Sequence, residues 1–252
     1  MVGIVPSRTS DPAEAARLVA HRGAVILTGC DTSEAGARAV AERVWHDQVL
    51  AVPDPAAVRE GGDKDRLKRD AQEMLELHTD GFAYGDKAPD VMALVCVQDG
   101  AVGGESFLAD GYALLEHMDS TLKRFLLDVP IDQTEPGAHQ TIAPIVLGLP
   151  SGRRAVRQPF YAQPAPGSAD PEGDASLIRR WKDLTVELSA ATPRFRLAPG
   201  EVLLVDNYRV LHGRDPYEGE RFLWRVWAWT TAGNGTPDGP LHSDSRYAFS
   251  DT

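Results

Sequence analysis

Residues 200–213 read GEVLLVDNYRVLHG. Val202, Leu203, Leu204 and Val205 form a core-like apolar run of strand length, and Asp206 and Asn207 interrupt it just before His212. The same signature recurs to either side: 73–80, 91–98, 106–109, 142–147, 155–160, 195–197 and 222–231 are short strand-like runs bounded by Gly, Pro or Asp. Many short strands with turn punctuation favour a barrel or double-sheet jelly roll over alternating βαβ units. Two amphipathic helices are expected over 12–21 and 33–46, flanking a buried strand in 23–29, and two more over 111–127 and 176–191. The charged stretch 53–70 reads as loop or short helix. Residues 163–176, QPAPGSADPEGDAS, read as a mobile connection, either a lid or a long loop. The tail from 233 is polar and turn-rich, with no evident chemistry. The expectation is a mainly β protein with flanking helices, one domain over 1–252 with its core at about 73–231.

Charge narrows the partners. With 26 Lys and Arg against 37 Asp and Glu, the 252-residue chain carries a formal net charge of −11. Its basic residues form no run longer than a pair, as in Arg153-Arg154 and Arg179-Arg180, so no nucleic acid and no anionic membrane is expected as a partner. Arg8, Asp11 and Glu14 break the first residues where a secretory signal needs an apolar stretch, and the apolar run 91–97 is far below the roughly 20 residues that span a bilayer. Cys30 and Cys96 lie beside or within apolar segments, as buried thiols of a reducing compartment do, and two cysteines cannot build a zinc site of their own. A cytoplasmic protein is expected, its oligomeric state left open.

Three His-x-acid triplets occur where chance supplies about one: His78-Thr79-Asp80, His117-Met118-Asp119 and His242-Ser243-Asp244. His117 and Asp119 end a helical pattern, where residues two apart point to different faces, and read as a solvated helix end. His242 and Asp244 read as surface loop. His78 and Asp80 close a strand-like run, where i and i+2 share a face. With His212 on another strand they make two imidazoles and one carboxylate, the facial set that holds a non-heme Fe(II) with open positions. Ordinary hydrogen-bonded histidines are the competing reading. Arg221 and Arg225 then add weight: four apart in RFLWRVWAWT, they share a strand face with Leu223, Trp227 and Trp229. Two guanidinium groups on so apolar a face call for anionic partners, or else for a solvated edge strand.

ELHTD at 76–80, GGES at 103–106, VDNYRVLHGR at 205–214 and RFLWR at 221–225, in this order, resemble the iron(II)- and 2-oxoglutarate-dependent oxygenases of the taurine dioxygenase (TauD/TfdA-like) superfamily, with a clavaminate-synthase-like flavour. The resemblance implies a double-stranded β-helix, a cupin-like jelly roll whose mouth holds the metal. It implies His78, Asp80 and His212 as iron ligands, Arg221 and Ser106 on the distal carboxylate of 2-oxoglutarate, and Arg225 toward an anionic group of the primary substrate. Only eight residues separate His212 from Arg221, so Arg221 and Arg225 could exchange roles. The implied reaction consumes O2 and 2-oxoglutarate, releases succinate and CO2, and hydroxylates the substrate, with desaturation or cyclisation as alternatives. Related halogenases carry a small residue where this chain has Asp80, which favours hydroxylation.

The segment after Asp80 should meet the substrate. Tyr84, Asp86 and Asp90 are the candidates, suiting a small amino-acid-like molecule with a cationic group; acids that merely solvate a loop are the alternative. Two rival classes fit the sequence less well. A Ser106-based hydrolase lacks the Gly-x-Ser-x-Gly elbow, and a structural zinc site normally closes with four ligands where three are present.

Overall fold

The chain is described here from a computed structural model, covering residues 2–59, 73–134 and 140–244. The 202–206 run forms the strand Val202–Asp206, with every side chain buried. It lies antiparallel between Ala24–Leu27 and Val91–Asp99. Arg221–Thr230 pairs with the far side of Val91–Asp99, and Val49–Ala51 and Ala56–Arg59 pair in turn with Arg221–Thr230. Arg8–Thr9 completes this seven-stranded sheet.

The Asp206-Asn207 interruption is where the chain leaves that sheet. Arg209 N–H bonds back to the Asp206 carbonyl, and the next strand, Val210–Arg214, belongs to a second sheet. There it lies between Ser106–Asp110 and Leu75–His78, with Gly3–Ile4 and Arg194–Phe195 also paired to Ser106–Asp110. Both sheets therefore also take strands from before residue 73.

Period-two alternation divides each strand between two environments. Leu203, Val205, Met92, Cys96, Leu223 and Trp227 meet Leu108, Val210 and Phe195 in the space between the sheets. Val202, Leu204, Val25, Val95 and Val226 face outward under the helices Pro12–Arg22 and Glu34–Trp45. On the other sheet Leu77, Phe107, Ala109 and Leu211 face outward under Ser120–Asp128 and Pro171–Ala191. The result is a double-stranded β-helix jelly roll clad by helices on both faces. Each large side chain buried there is worth about 1.5–3 kcal/mol of transfer free energy.

Four local expectations change. The helix expected over 111–127 is two, Gly111–His117 and Ser120–Asp128, because Met118 is extended (φ −82°, ψ 148°) and Asp119 caps the second by accepting from Thr121 and Leu122 N–H. The last part of 163–176 is not loop: Asp170 caps a helix that starts at Pro171, its side chain accepting from Gly173 N–H. Run 142–147 is split by Pro144 into Ile142–Ala143 and Val146–Gly148, in separate sheets. Within 53–70, Ala56–Arg59 is a strand rather than loop or helix, and residues 60–70 lie outside the described part. No helix among the described residues is long and apolar enough to cross a membrane.

Candidate metal centre

His78 ends the strand Leu75–His78 and stands directly across from His212 in the antiparallel register. Their rings lie 4.2 Å apart between centroids. Asp80, two residues past His78, brings Oδ1 to 3.6 Å from His78 Nε2 and 3.8 Å from His212 Nε2. One donor atom from each of the three falls within 4.8 Å of the other two, and all three residues are buried. His78 Nδ1 sits 2.8 Å from the Glu76 carbonyl. A carbonyl only accepts, so Nδ1 carries the proton and Nε2 is left as the donor atom on the Asp80 side.

The charges suit a cation. Burial alone would raise the Asp80 carboxyl, but the Arg225, His212 and His78 charges and the Trp227 N–H outweigh it and hold the group at about 2. Burial lowers His212 below its ordinary value, more than Asp80 raises it, so the imidazole stays neutral. Two neutral nitrogens and one carboxylate oxygen fit a non-heme Fe(II), and they fall one ligand short of a closed structural zinc site.

Asn207, in sequence no more than a break in apolarity, fastens this centre. Its Oδ1 accepts from Asp80 N–H at 3.0 Å, while Nδ2 donates to the carbonyls of Asp80 at 3.0 Å and Pro89 at 2.8 Å. Asn207→Ala leaves three buried backbone groups without partners, and we expect it to cost about 2–4 kcal/mol of stability. Urea unfolding measures this; a loss below ~1 kcal/mol would show that water replaces the amide.

Ser106 and Arg221 come from opposite sheets and meet at a small cavity shared with Cys96, Asp99, Gly104 and Leu197. Gly103 and Gly104 bend the chain into this place with φ of +83° and +78°, and a Cβ on Gly103 would lie 2.3 Å from the Pro216 carbonyl oxygen. Arg221 is buried, its guanidinium 5.5 Å from the Tyr217 ring centre. It has no hydrogen bond or ion pair among the described residues, and burial lowers its pKa. A guanidinium buried in this way is costly unless an anion meets it.

Arg225 differs. Its Nε donates to the Ser243 carbonyl at 2.9 Å, Nη1 lies 3.5 Å from Asp80 Oδ2 and Nη2 3.8 Å from Asp244 Oδ2. Trp227 Nε1 donates to the same Asp80 Oδ2 at 2.9 Å, a role not evident in the sequence. The 242–244 segment is thus no surface loop, since Ser243 and Asp244 are buried against Arg225. Tyr84 is tied to it as well, its hydroxyl accepting from His242 N–H at 2.8 Å. Asp86 is exposed beside Asn234, whose Nδ2 donates to the Asp86 carbonyl at 3.0 Å. His117 is exposed, as the sequence implies.

The sequence model of the Taurine catabolism dioxygenase TauD, TfdA family matches residues 5–227. The chain belongs to the TauD/TfdA family. Among relatives of this TauD/TfdA chain, human mitochondrial trimethyllysine dioxygenase is 29% identical over 167 residues, covering 59% of this chain and 38% of the relative. Gamma-butyrobetaine dioxygenase of Pseudomonas sp. (strain AK-1) is 31% identical over 157 residues, covering 57% and 39%. The chain therefore spans about two fifths of the length of these two relatives. Clavaminate synthase 2 of Streptomyces clavuligerus is 27% identical over 254 residues, covering 94% and 70%. Two solved structures share the jelly-roll fold at 19% identity. A taurine dioxygenase from Burkholderia xenovorans has a TM-score of 0.65 over 95% of this chain and 91% of its own, and an asparagine oxygenase 0.62 over 91% and 83%. A second structure of asparagine oxygenase is a complex with Fe(II), 3-hydroxyasparagine and succinate.

Asp90, expected near the substrate, is instead a buried structural group. Its carboxylate accepts from Thr230 N–H at 2.8 Å and Thr230 Oγ1 at 2.6 Å. Burial pushes the carboxyl up to about 6 despite those bonds. A raised carboxyl pKa means the folded state holds the proton more tightly than the unfolded chain does. This contribution is fully present below the unfolded value near 4 and is lost as pH rises through about 6. Asp90→Asn keeps the shape without the charge. Its stability relative to the unsubstituted protein should therefore rise by on the order of 2–3 kcal/mol between pH 4 and 7. Denaturant unfolding across that range tests this, and a pH-independent difference would contradict it.

Proposed function

We propose that this protein is an Fe(II)- and 2-oxoglutarate-dependent dioxygenase. It hydroxylates an unactivated C–H bond of a small amino-acid-like molecule and releases succinate and CO2. The observation that carries the reading is a buried group of two imidazoles and one carboxylate, accompanied by a buried arginine that has no hydrogen bond or ion pair among the described residues. When bound, the iron supplies the redox chemistry that activates O2 with 2-oxoglutarate.

The chain's own residues do the positioning. His78, Asp80 and His212 would hold the metal. Trp227 and Arg225 fix Asp80 Oδ2, which leaves Oδ1 turned toward the two histidines. Arg221 offers a planar fork to the distal carboxylate of 2-oxoglutarate, with the Ser106 hydroxyl as a further donor. Phe160 packs against the His78 ring, 4.8 Å between centroids. Tyr84, Asp86 and Arg225 lie on the substrate side in this reading, with Arg225 and Tyr84 also bracing the 242–244 segment.

The relatives' names support the substrate class. Trimethyllysine, γ-butyrobetaine and asparagine are small amino-acid-like molecules, and the first two carry a quaternary ammonium group. Two free, buried cysteines agree with a cytoplasmic location. The test is incubation with Fe(II), ascorbate and 2-oxoglutarate in air, with succinate measured and free amino acids screened by mass for the gain of one oxygen atom. Protein that binds Fe(II) but forms no succinate under any of these conditions rules the proposal out.

A further inference from the structure

Arg157 is a buried charge with no ion pair among the described residues. It is 5% exposed, and neither Nη1 nor Nη2 has a hydrogen-bond partner. Its guanidinium carbon lies 4.9 Å from the centre of the Phe82 ring. Burial brings it down to about 10, with Asp86 acting in the opposite sense. A guanidinium carries five donors and is costly to bury without an acceptor. Fold stability gives no reason to keep one here.

Its position gives a reason. Arg157 directly follows the strand Arg154–Val156. The next residue, Gln158, accepts from Thr79 N–H through its carbonyl and donates its N–H to Thr79 Oγ1, between the two proposed ligands His78 and Asp80. The guanidinium lines a cavity with Thr79, Asp80, Phe82, Asp86 and Tyr208. One end of the cavity is thus cationic, Asp86 brings an exposed carboxylate to it, and its wall includes a candidate metal ligand. Arg225, the arginine first expected to meet the substrate, is already engaged by Asp80, Ser243 and Asp244.

The geometry points to Arg157 as the receptor for the α-carboxylate of the primary substrate, with Asp86 taking its ammonium group, so that a free α-amino acid is held by its head group beside Asp80. This rests on the oxygenase reading above and adds the recognition element. The cavity is small, about 20 Å³. Binding must therefore widen it, and the contacts of Asn234 with Asp86 are the ones that would yield.

The test uses protein loaded with Fe(II) and 2-oxoglutarate under anaerobic conditions, titrated calorimetrically with L-lysine, L-arginine and L-asparagine and with the α-carboxamide of each. At least one free acid should bind at least about tenfold more tightly than its carboxamide, the difference one charge-assisted fork supplies. In Arg157→Met that preference should vanish, and Arg157→Lys should restore part of it. The KM for 2-oxoglutarate should not change. The melting temperature of Arg157→Met should not fall, because the substitution removes a buried charge without partners.

Equal binding of acid and amide by the unsubstituted protein overturns the inference, as does no binding of any acid, or a preference that survives in Arg157→Met. A fall in melting temperature with the preference intact marks Arg157 as structural. Succinate released in air without added amino acid, measured on the same preparations, reports separately on the oxygenase reading. If succinate forms while acids and amides bind alike, only the role of Arg157 fails.

Discussion

Asp80→Ala should reduce Fe(II)-supported succinate formation by at least about three orders of magnitude, a barrier increase of roughly 4 kcal/mol. Asp80 supplies the only anionic donor of the set, and without it two neutral imidazoles must hold a divalent cation alone. The loss reaches further than the metal. Trp227 N–H and Arg225 both spend contacts on Asp80 Oδ2, so the substitution also leaves a buried indole donor and a half-buried guanidinium facing an apolar methyl group. The variant should bind Fe(II) weakly by calorimetry while keeping the circular dichroism of a folded β protein. Retention of more than a tenth of the activity would remove Asp80 from the ligand set.

Arg221→Leu should raise the KM for 2-oxoglutarate by roughly two to three orders of magnitude, since two charge-assisted hydrogen bonds contribute about 1.5–3 kcal/mol each. Iron affinity should hardly change, because Arg221 lies on the other sheet from both histidines. Stability should hold as well, since the guanidinium gives up no partner among the described residues. Ser106→Ala should act in the same direction but by less than about tenfold, the worth of one neutral donor. If Arg225→Leu raises the KM for 2-oxoglutarate and Arg221→Leu leaves it unchanged, the two arginines have exchanged roles.

The parts of this site that are legible in the sequence are those that local periodicity controls. Two residues in one strand share a face, so Arg221 with Arg225 can be paired from spacing alone; the strand expected to carry both His78 and Asp80 ends at His78, and Asp80 is held beyond it by Asn207. The apolar run before Asp206 likewise identifies a buried strand. What is not legible depends on distant contacts. Nothing in the polar tail shows that Ser243 and Asp244 return to Arg225, because turn-rich composition is the same whether a segment is solvated or docked. Trp227 looks like core on any hydrophobicity scale, yet its one polar atom holds the candidate ligand. Arg157 sits in an unremarkable RQPF stretch, and its isolation becomes visible only when every neighbour is known. The break at Met118 was in reach, since Asp119 followed by Ser and Thr is a helix-capping pattern.

The two histidines stand on adjacent strands of one sheet, tied by main-chain hydrogen bonds, whereas Ser106 and Arg221 reach each other only across the apolar layer of Met92, Cys96, Leu108 and Leu223. On the proposed reading, two of the three metal ligands are held rigidly by strand pairing, and the grip on the co-substrate is set by the thickness of a side-chain layer. Natural variation in that layer can tune co-substrate affinity while metal affinity stays fixed, giving the fold two separately adjustable controls over one reaction.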